Sequence, residues 1–380
     1  MAKVKLGDVA REFKSTVKDA ADLPNVGLEH LIPGEIELTQ WSEDSDNTFT
    51  KGFKKGHILF GRRRAYLKKA ASAPFDGICS GDITVIEALP DKILPELLPF
   101  VIQNDRFFDY AVENSAGSLS PRVKWEHLKH YEFELPEIQQ QKQMSALLWA
   151  MERVKSAYKE LIIKTDELVK SQFFDMFGDP VENEKDWPTY SFFEVATSRL
   201  GKMLDKGRQT GKNQHKYLAN ANVQWFSFNL QDLNQMDFDE EDRKEFQLLE
   251  GDLLVCEGGE IGRCAVWHAE LADCYFQKAI HRVRCNSNML LPEYLGYSFY
   301  YHSQKNGFVD IVSSKSTIAH LTGDKLKQMK IIVPPMELQK RFVTFVNQID
   351  KSKFLLHLTL EAISIIEKPQ EVISHAGNFH

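Results

Sequence analysis

The feature that most limits how this chain can fold is that its second half repeats its first, at an offset of 195 to 198 residues. In the first half FKKGHILFGRRRAYLKKA is followed by ILPELL and then by LKHYEFELPEIQQQKQM. In the second, QLLEGDLLVCEGGEIGRCAVW is followed by LLPEYL and then by LKQMKIIVPPMELQKRF. Gly56 answers to Gly251, Pro95 to Pro292, Leu128 to Leu326 and Pro136 to Pro334, so the offset grows from 195 to 197 to 198 and then holds. Solenoid units recur every ~20–50 residues. A period this long marks a duplicated domain, and a duplicated domain engages something with two similar parts.

Two domains also suit a length of 380 residues. With 43% hydrophobic and 27% charged residues, each half can bury its own core. The formal net charge of -7 argues against a bulk electrostatic grip on a polyanion and leaves local patches to decide. No apolar run reaches the ~20 residues of a membrane span. The best stretch, Phe354 to Ile366, is broken by His357, Thr359 and Glu361, and MAKVKLGDVA has no apolar signal core. A cytoplasmic protein without membrane contact is expected. The five cysteines, at 79, 256, 264, 274 and 285, form no CxxC pair. Buried thiols in a reducing compartment are expected, with neither a metal nor a cofactor.

Each half opens with short apolar alternations and turns and closes in a long helical pattern, which predicts an α+β fold. In the first helix Met144, Leu147, Met151, Val154, Tyr158, Leu161, Thr165 and Leu168 alternate at spacings of three and four. Adding 198 gives Phe342, Phe345, Ile349, Ser352, Leu356, Thr359, Ile363 and Ile366. This alternation predicts a coiled-coil seam along which the two helices pack on each other. The alternative is that each helix is amphipathic and packs on its own domain. Pro136 before the first helix and Gly178-Asp179-Pro180 after it set a length of about 40 residues, or ~60 Å. The expected division is a first globular domain over 1–136, a helix over 137–178, a second domain over 179–334, a helix over 335–368 and a tail over 369–380.

Charge singles out candidate contacts to a polyanion. From Lys51 to Lys69 lie Lys51, Lys54, Lys55, Arg62, Arg63, Arg64, Lys68 and Lys69, with no acidic residue and with Phe53, Phe60 and Tyr66 interleaved. Eight uncompensated charges with aromatics on a strand-turn-strand pattern suit phosphate contact plus base or sugar packing. The second half holds Arg199, Lys202, Lys206, Arg208, Lys212 and Lys216, with Gly201, Gly207 and Gly211 making the stretch loop-like. Arg263, Lys278, Arg282 and Arg284 add to that basic side. The acidic stretch DFDEEDRKE, 237–245, is expected to face away from a nucleic acid. Gly258 to Arg263 fits neither GxGxxG nor GxxxxGK[ST] and predicts a strand-to-strand turn. Neither a nucleophile elbow nor HExxH occurs, and Val333-Pro334-Pro335-Met336 lacks the flanking residues of an amino-methyltransferase motif. A non-catalytic chain is expected.

LEGDLLVCEGGEIGRCAVW, QKAIHRVR, the helix entries LPEIQQQ and PPMELQK, and SQFFDMFGDP after the first helix resemble the specificity subunit of type I restriction-modification systems. The resemblance covers nearly the whole chain. It implies two target-recognition domains, each reading half of a split double-stranded DNA site, separated by two long antiparallel helices. It further implies that the helices dock two methyltransferase subunits, which restriction translocases join, and that the subunit carries no active site. The stretch Tyr217 to Val223 has Ala219 where the family often has a basic residue, which puts a contact there in doubt. Two other readings remain: the recognition subunit of a related system whose partner fuses nuclease and methylase, and a coiled-coil assembly scaffold that binds no nucleic acid.

Overall fold

The computed structural model describes residues 2–18, 23–44, 47–205, 207, 209–305, 308 and 320–366. The chain divides into two compact units, one of residues 1–161 with 356–380, the other of residues 162–355.

The two units are built on one plan. In the first, a four-stranded antiparallel sheet runs in the order Ala10–Glu12, Ile83–Ala88, Ile58–Gly61, Ala70–Ser72. In the second, Ala196–Leu200, Ile280–Cys285, Leu253–Cys256 and Cys264–Val266 take the same order. The strands Ile58–Gly61 and Leu253–Cys256 are buried along their whole length, which is why ILFG and LLVC read as continuous apolar runs. Their side chains still alternate. Ile58 and Phe60 join the core that includes Leu6, Met144 and Leu148, whereas Leu59 joins Val26, Leu31 and Val85 on the other face. Leu253 and Val255 likewise separate from Leu254 and Cys256.

Turns and caps repeat with the sheet. Gly56 and Gly251 hold φ of 84° and 85°, a region glycine enters without steric cost, and their N–H groups donate to Ala73 O and Trp267 O, both at 2.8 Å. Lys5 N–H donates to Asp8 Oδ2 at 3.0 Å and Ser191 N–H to Glu194 Oε2 at 2.7 Å, closing the first turn of two equivalent short helices. Gly258, Gly259 and Gly262 lie in the turn joining the paired strands Leu253–Cys256 and Cys264–Val266.

Each unit ends on a small antiparallel pair that leads into a long helix. Ala2–Lys5 pairs with Glu132–Leu135 before the helix Ile138–Phe177, and Thr189–Ser191 pairs with Lys330–Ile332 before the helix Met336–Ile366. Gly178, at φ 76° and donating to Phe174 O at 2.7 Å, ends the first of these. In the second unit the last turns of the first helix pack by aromatic contact. The Phe173 ring lies 5.5 Å from Tyr294, 5.2 Å from Tyr301 and 5.4 Å from Phe342, and Asp166 pairs with Lys353 at 2.5 Å. Residues 166 and 173 thus face 353 and 342, so these two helical segments run antiparallel.

On the first helix the buried stripe is displaced by one position from the apolar seam read in the sequence. In the first unit the buried residues of the helix include Gln141, Ser145, Leu148 and Glu152 beside Met144, while Leu147, Val154 and Leu161 are 53%, 44% and 47% exposed. In the second unit Val169, Phe173 and Phe177 are buried and Leu168 is 48% exposed. On the other helix Phe342 is buried, Phe345 and Ile349 pack partly against the core, and Leu356 and Ile363 are intermediate, as are Met151 and Tyr158. The Ile366 side chain lies outside the described residues. The displacement has a physical cause. The inward stripe is partly polar, with Glu152 paired to Lys155 at 3.0 Å and Lys159 to Glu35 at 2.6 Å, so hydropathy alone selects the neighbouring, outward stripe.

Candidate nucleic-acid interface

In the first unit the basic segment is the strand Ile58–Gly61 with the turns at its ends. Its apolar residues are core: Phe53 and Phe60 are buried, so only Tyr66, 54% exposed, remains of the three aromatics expected to meet a ligand. Nor are the eight charges uncompensated. Lys51 approaches Glu12 and donates to Ile83 O at 2.8 Å, Lys54 meets Asp76 at 2.8 Å, and Lys68 meets Asp105 at 2.5 Å. Arg63 shares Asp82 with Arg122, at 3.5 and 2.7 Å, and Lys69 donates to Leu28 O at 2.7 Å. Counting charge along the sequence missed carboxylates that the fold brings from as far as Asp105.

What stays outward is a narrow tip. Arg64 and Lys68, at φ 54° and 51°, bracket the short helix Ala65–Leu67, a left-handed conformation that costs a non-glycine residue ~1–2 kcal/mol. This turn carries Tyr66 and an exposed Arg64 guanidinium, and it is pinned from Arg64 N to Pro121 O at 2.8 Å and from Val123 N to Arg62 O at 3.0 Å. Lys55 is exposed on the preceding turn, and Arg62 is half-buried with its Nε unbonded. Beneath them, hydrogen bonding from Arg122 holds the Asp82 carboxyl below the usual range.

In the second unit the basic and acidic stretches meet each other. The helix Glu240–Phe246 lies against the basic segment, with Glu245 on Arg199 and Asp242 on Lys202. Lys212 and Lys216 are exposed, and Lys278 is exposed with its Nζ 3.5 Å from Met203 Sδ. Lys206 and Arg208 lie outside the described residues. Two arginines turn inward. Arg263 donates to Asn220 O at 3.0 Å and Asn220 Oδ1 at 2.8 Å, and Arg282 donates to Glu245 O at 2.7 Å and Gln247 O at 3.2 Å. Arg284 closes on Asp252 at 2.6 Å. Arg263 and Arg282 thus brace the fold from within. One residue that charge counting treated as mere repulsion, Asp237, gathers the amides of 210, 211 and 213.

Among the described residues no group of three or more His, Cys, Asp or Glu is placed to hold a metal, and no helix is long and apolar enough to cross a membrane. Burial pushes the Cys79 and Cys274 thiols up to about 12, which leaves them inert at neutral pH.

Residues 184–363 match the family described as type I restriction modification DNA specificity domain. The type I restriction enzyme EcoDI specificity subunit of Escherichia coli is 27% identical over 144 residues, which are 35% of this chain and 31% of that protein. The matched stretch spans about a third of the length of the curated relatives it matches. A structure titled for complex assembly and conformational transition of the type I R-M system is similar in fold, with TM-score 0.59 at 19% identity over 99% of this chain and 97% of that one. The type I restriction-modification S subunit from M. genitalium gives TM-score 0.57 at 12% identity, covering 97% and 94%.

Proposed function

We propose that this chain, a relative of the type I restriction-modification specificity subunits, is the DNA-recognition subunit of such a system, each unit reading one half of a bipartite duplex target. The observation that carries the reading is that one framework is built twice around different basic surfaces. Lys55, Arg62, Arg64 and Tyr66 form the contact set of the first unit. Lys212, Lys216 and Lys278, with Lys206 and Arg208, form that of the second. Lys54, Arg63, Lys68, Lys69, Lys202, Arg263 and Arg282 are held by partners within the chain and support these surfaces. Phosphate contacts supply affinity and register, and base edges supply sequence.

The two long helices act as an antiparallel spacer between the recognition domains, whose limits are those read from the sequence. The helices also dock two methyltransferase subunits. Leu147, Val154 and Leu161 stand seven residues apart on one face of the first helix, each near half exposed, and apolar side chains so spaced fit a partner helix. Restriction and translocase subunits join through the methyltransferases. This chain supplies neither a catalytic residue nor a cofactor.

The test is binding of the complex with its methyltransferase to duplex DNA across a salt series. A steep fall of affinity with salt, together with a preference for one bipartite sequence, is expected. Assembly with the methyltransferase but no binding to any duplex would leave the scaffold reading.

A further inference from the structure

We propose that Asp237 is the positioning residue of the second recognition surface: its buried carboxylate fixes the exposed segment 209–213 in the one shape that reads the second half-site. The inference rests on the DNA-recognition reading above and deepens it.

Asp237 is the last residue of the strand Asn234–Asp237 and pairs with Gln214, the first residue of the strand Gln214–Leu218. The segment before Gln214 therefore folds back over Asp237, a residue 7% exposed. Its Oδ2 accepts from Thr210 N–H, from Thr210 Oγ1 at 2.8 Å and from Gly211 N–H at 2.9 Å, while Oδ1 accepts from Asn213 N–H at 3.3 Å. The Asp237 N–H donates to Gln209 Oε1 at 2.8 Å, and Phe238 N–H donates to Asn213 O at 2.9 Å. Gly211, at φ 74°, makes the bend that turns successive amides toward one carboxylate.

Among the described residues the segment has no other anchor of this strength. None of Gln209, Thr210, Gly211, Lys212 and Asn213 contributes to a hydrophobic core of the unit. Without an apolar anchor, a polar segment bearing a glycine keeps many conformations in water, and ordering it on binding costs affinity and selectivity. Four charge-assisted bonds to one shielded carboxylate remove that freedom beforehand. Lys212 stands exposed within the segment and Lys216 exposed just after it. Asp237 and the segment it holds both lie in the second unit. Among the described residues, the first unit has the isolated bridge Asn25–Ser42 where the second has the strand Asn234–Asp237. Loss of Asp237 should therefore damage one half-site and spare the other.

The experiment uses the full chain assembled with its methyltransferase and a duplex library in which each half of the target is randomised separately. Asp237→Asn keeps the shape but turns an amide group toward N–H donors. Thr210→Val removes one hydroxyl donor from an exposed position that cannot unfold the unit. Asp237→Asn should lower base discrimination at the second half-site by about tenfold or more, the loss one good base contact carries. Thr210→Val should do so more weakly, and the first half-site should be unchanged in both. Wild-type discrimination at both half-sites in both variants, or an equal loss at both half-sites, would overturn the inference. A wild-type complex without sequence preference would instead overturn the recognition reading on which it rests.

Discussion

Gln141 and Gln339 make the same clasp 198 residues apart. The Gln141 Oε1 accepts from Leu94 N–H and its Nε2 donates to Pro136 O, both at 2.8 Å. The Gln339 Oε1 accepts from Leu291 N–H at 2.9 Å, and its Nε2 donates to Met289 O and Pro334 O at 2.9 and 2.8 Å. Both side chains are buried, and each ties the start of a long helix to the LPE turn of its own unit. The same geometry thus fixes the start of the long helix in both units.

Truncating either glutamine should therefore act on stability and not on sequence preference. Gln141→Ala or Gln339→Ala leaves a buried amide and at least one carbonyl unpaired, a cost of about 2 kcal/mol or more. Denaturant unfolding should show this loss for each variant. A variant as stable as the wild type would mean that water or a neighbour replaces the clasp.

The basic residues of the first unit should fall into two classes. Arg64→Ala and Lys55→Ala should each lower the slope of log affinity against log salt by about one on any duplex. Lys54→Ala, whose partner is Asp76, should leave the slope nearly unchanged. Equal slopes for all three would place the contact surface elsewhere.

The outward apolar stripe should be needed for assembly and not for folding. Leu147→Asp and Leu161→Asp place charges on positions 53% and 47% exposed, so thermal melting should barely move. Co-purification with the methyltransferase should drop sharply. Retained assembly would assign the stripe another role.

Asp82 should make the first unit sensitive to acid. Its carboxyl lies below the ordinary carboxylate range, first because Arg122 hydrogen-bonds it and also because Arg63 and Arg62 stand near, with burial opposing. A folded value below the unfolded one of ~3.9 contributes stability that is present above that pH and is lost as pH falls through the folded value. Melting measured between neutral pH and pH 3 should show a smaller acid-dependent loss for Asp82→Asn than for the wild type. An identical pH profile would remove Asp82 from the account.

Much of this was legible in the sequence, and what was not has identifiable causes. The repeat gave equivalent turns at Gly56 and Gly251, and Pro136 and Gly178 bracket the helix Ile138–Phe177. Hydropathy could not place the buried stripe, because Leu147 and Leu148 differ only in which side of the helix they occupy. Glu152, Lys155 and Lys159 on the inward side carry no apolar signal. Charge counting failed for Arg63 and Lys68, whose carboxylates Asp82 and Asp105 are distant along the chain. Asp237 was hidden inside an acidic run whose role looked purely repulsive.

The central claim is that the chain holds two separate readers on one repeated frame. Its most direct test is to replace residues 1–136 by those of a relative, in a host that carries the system, and to sequence the methylated sites. The account predicts a new sequence in one half of the target and an unaltered sequence in the other. A change in both halves together, in an active complex, would contradict it.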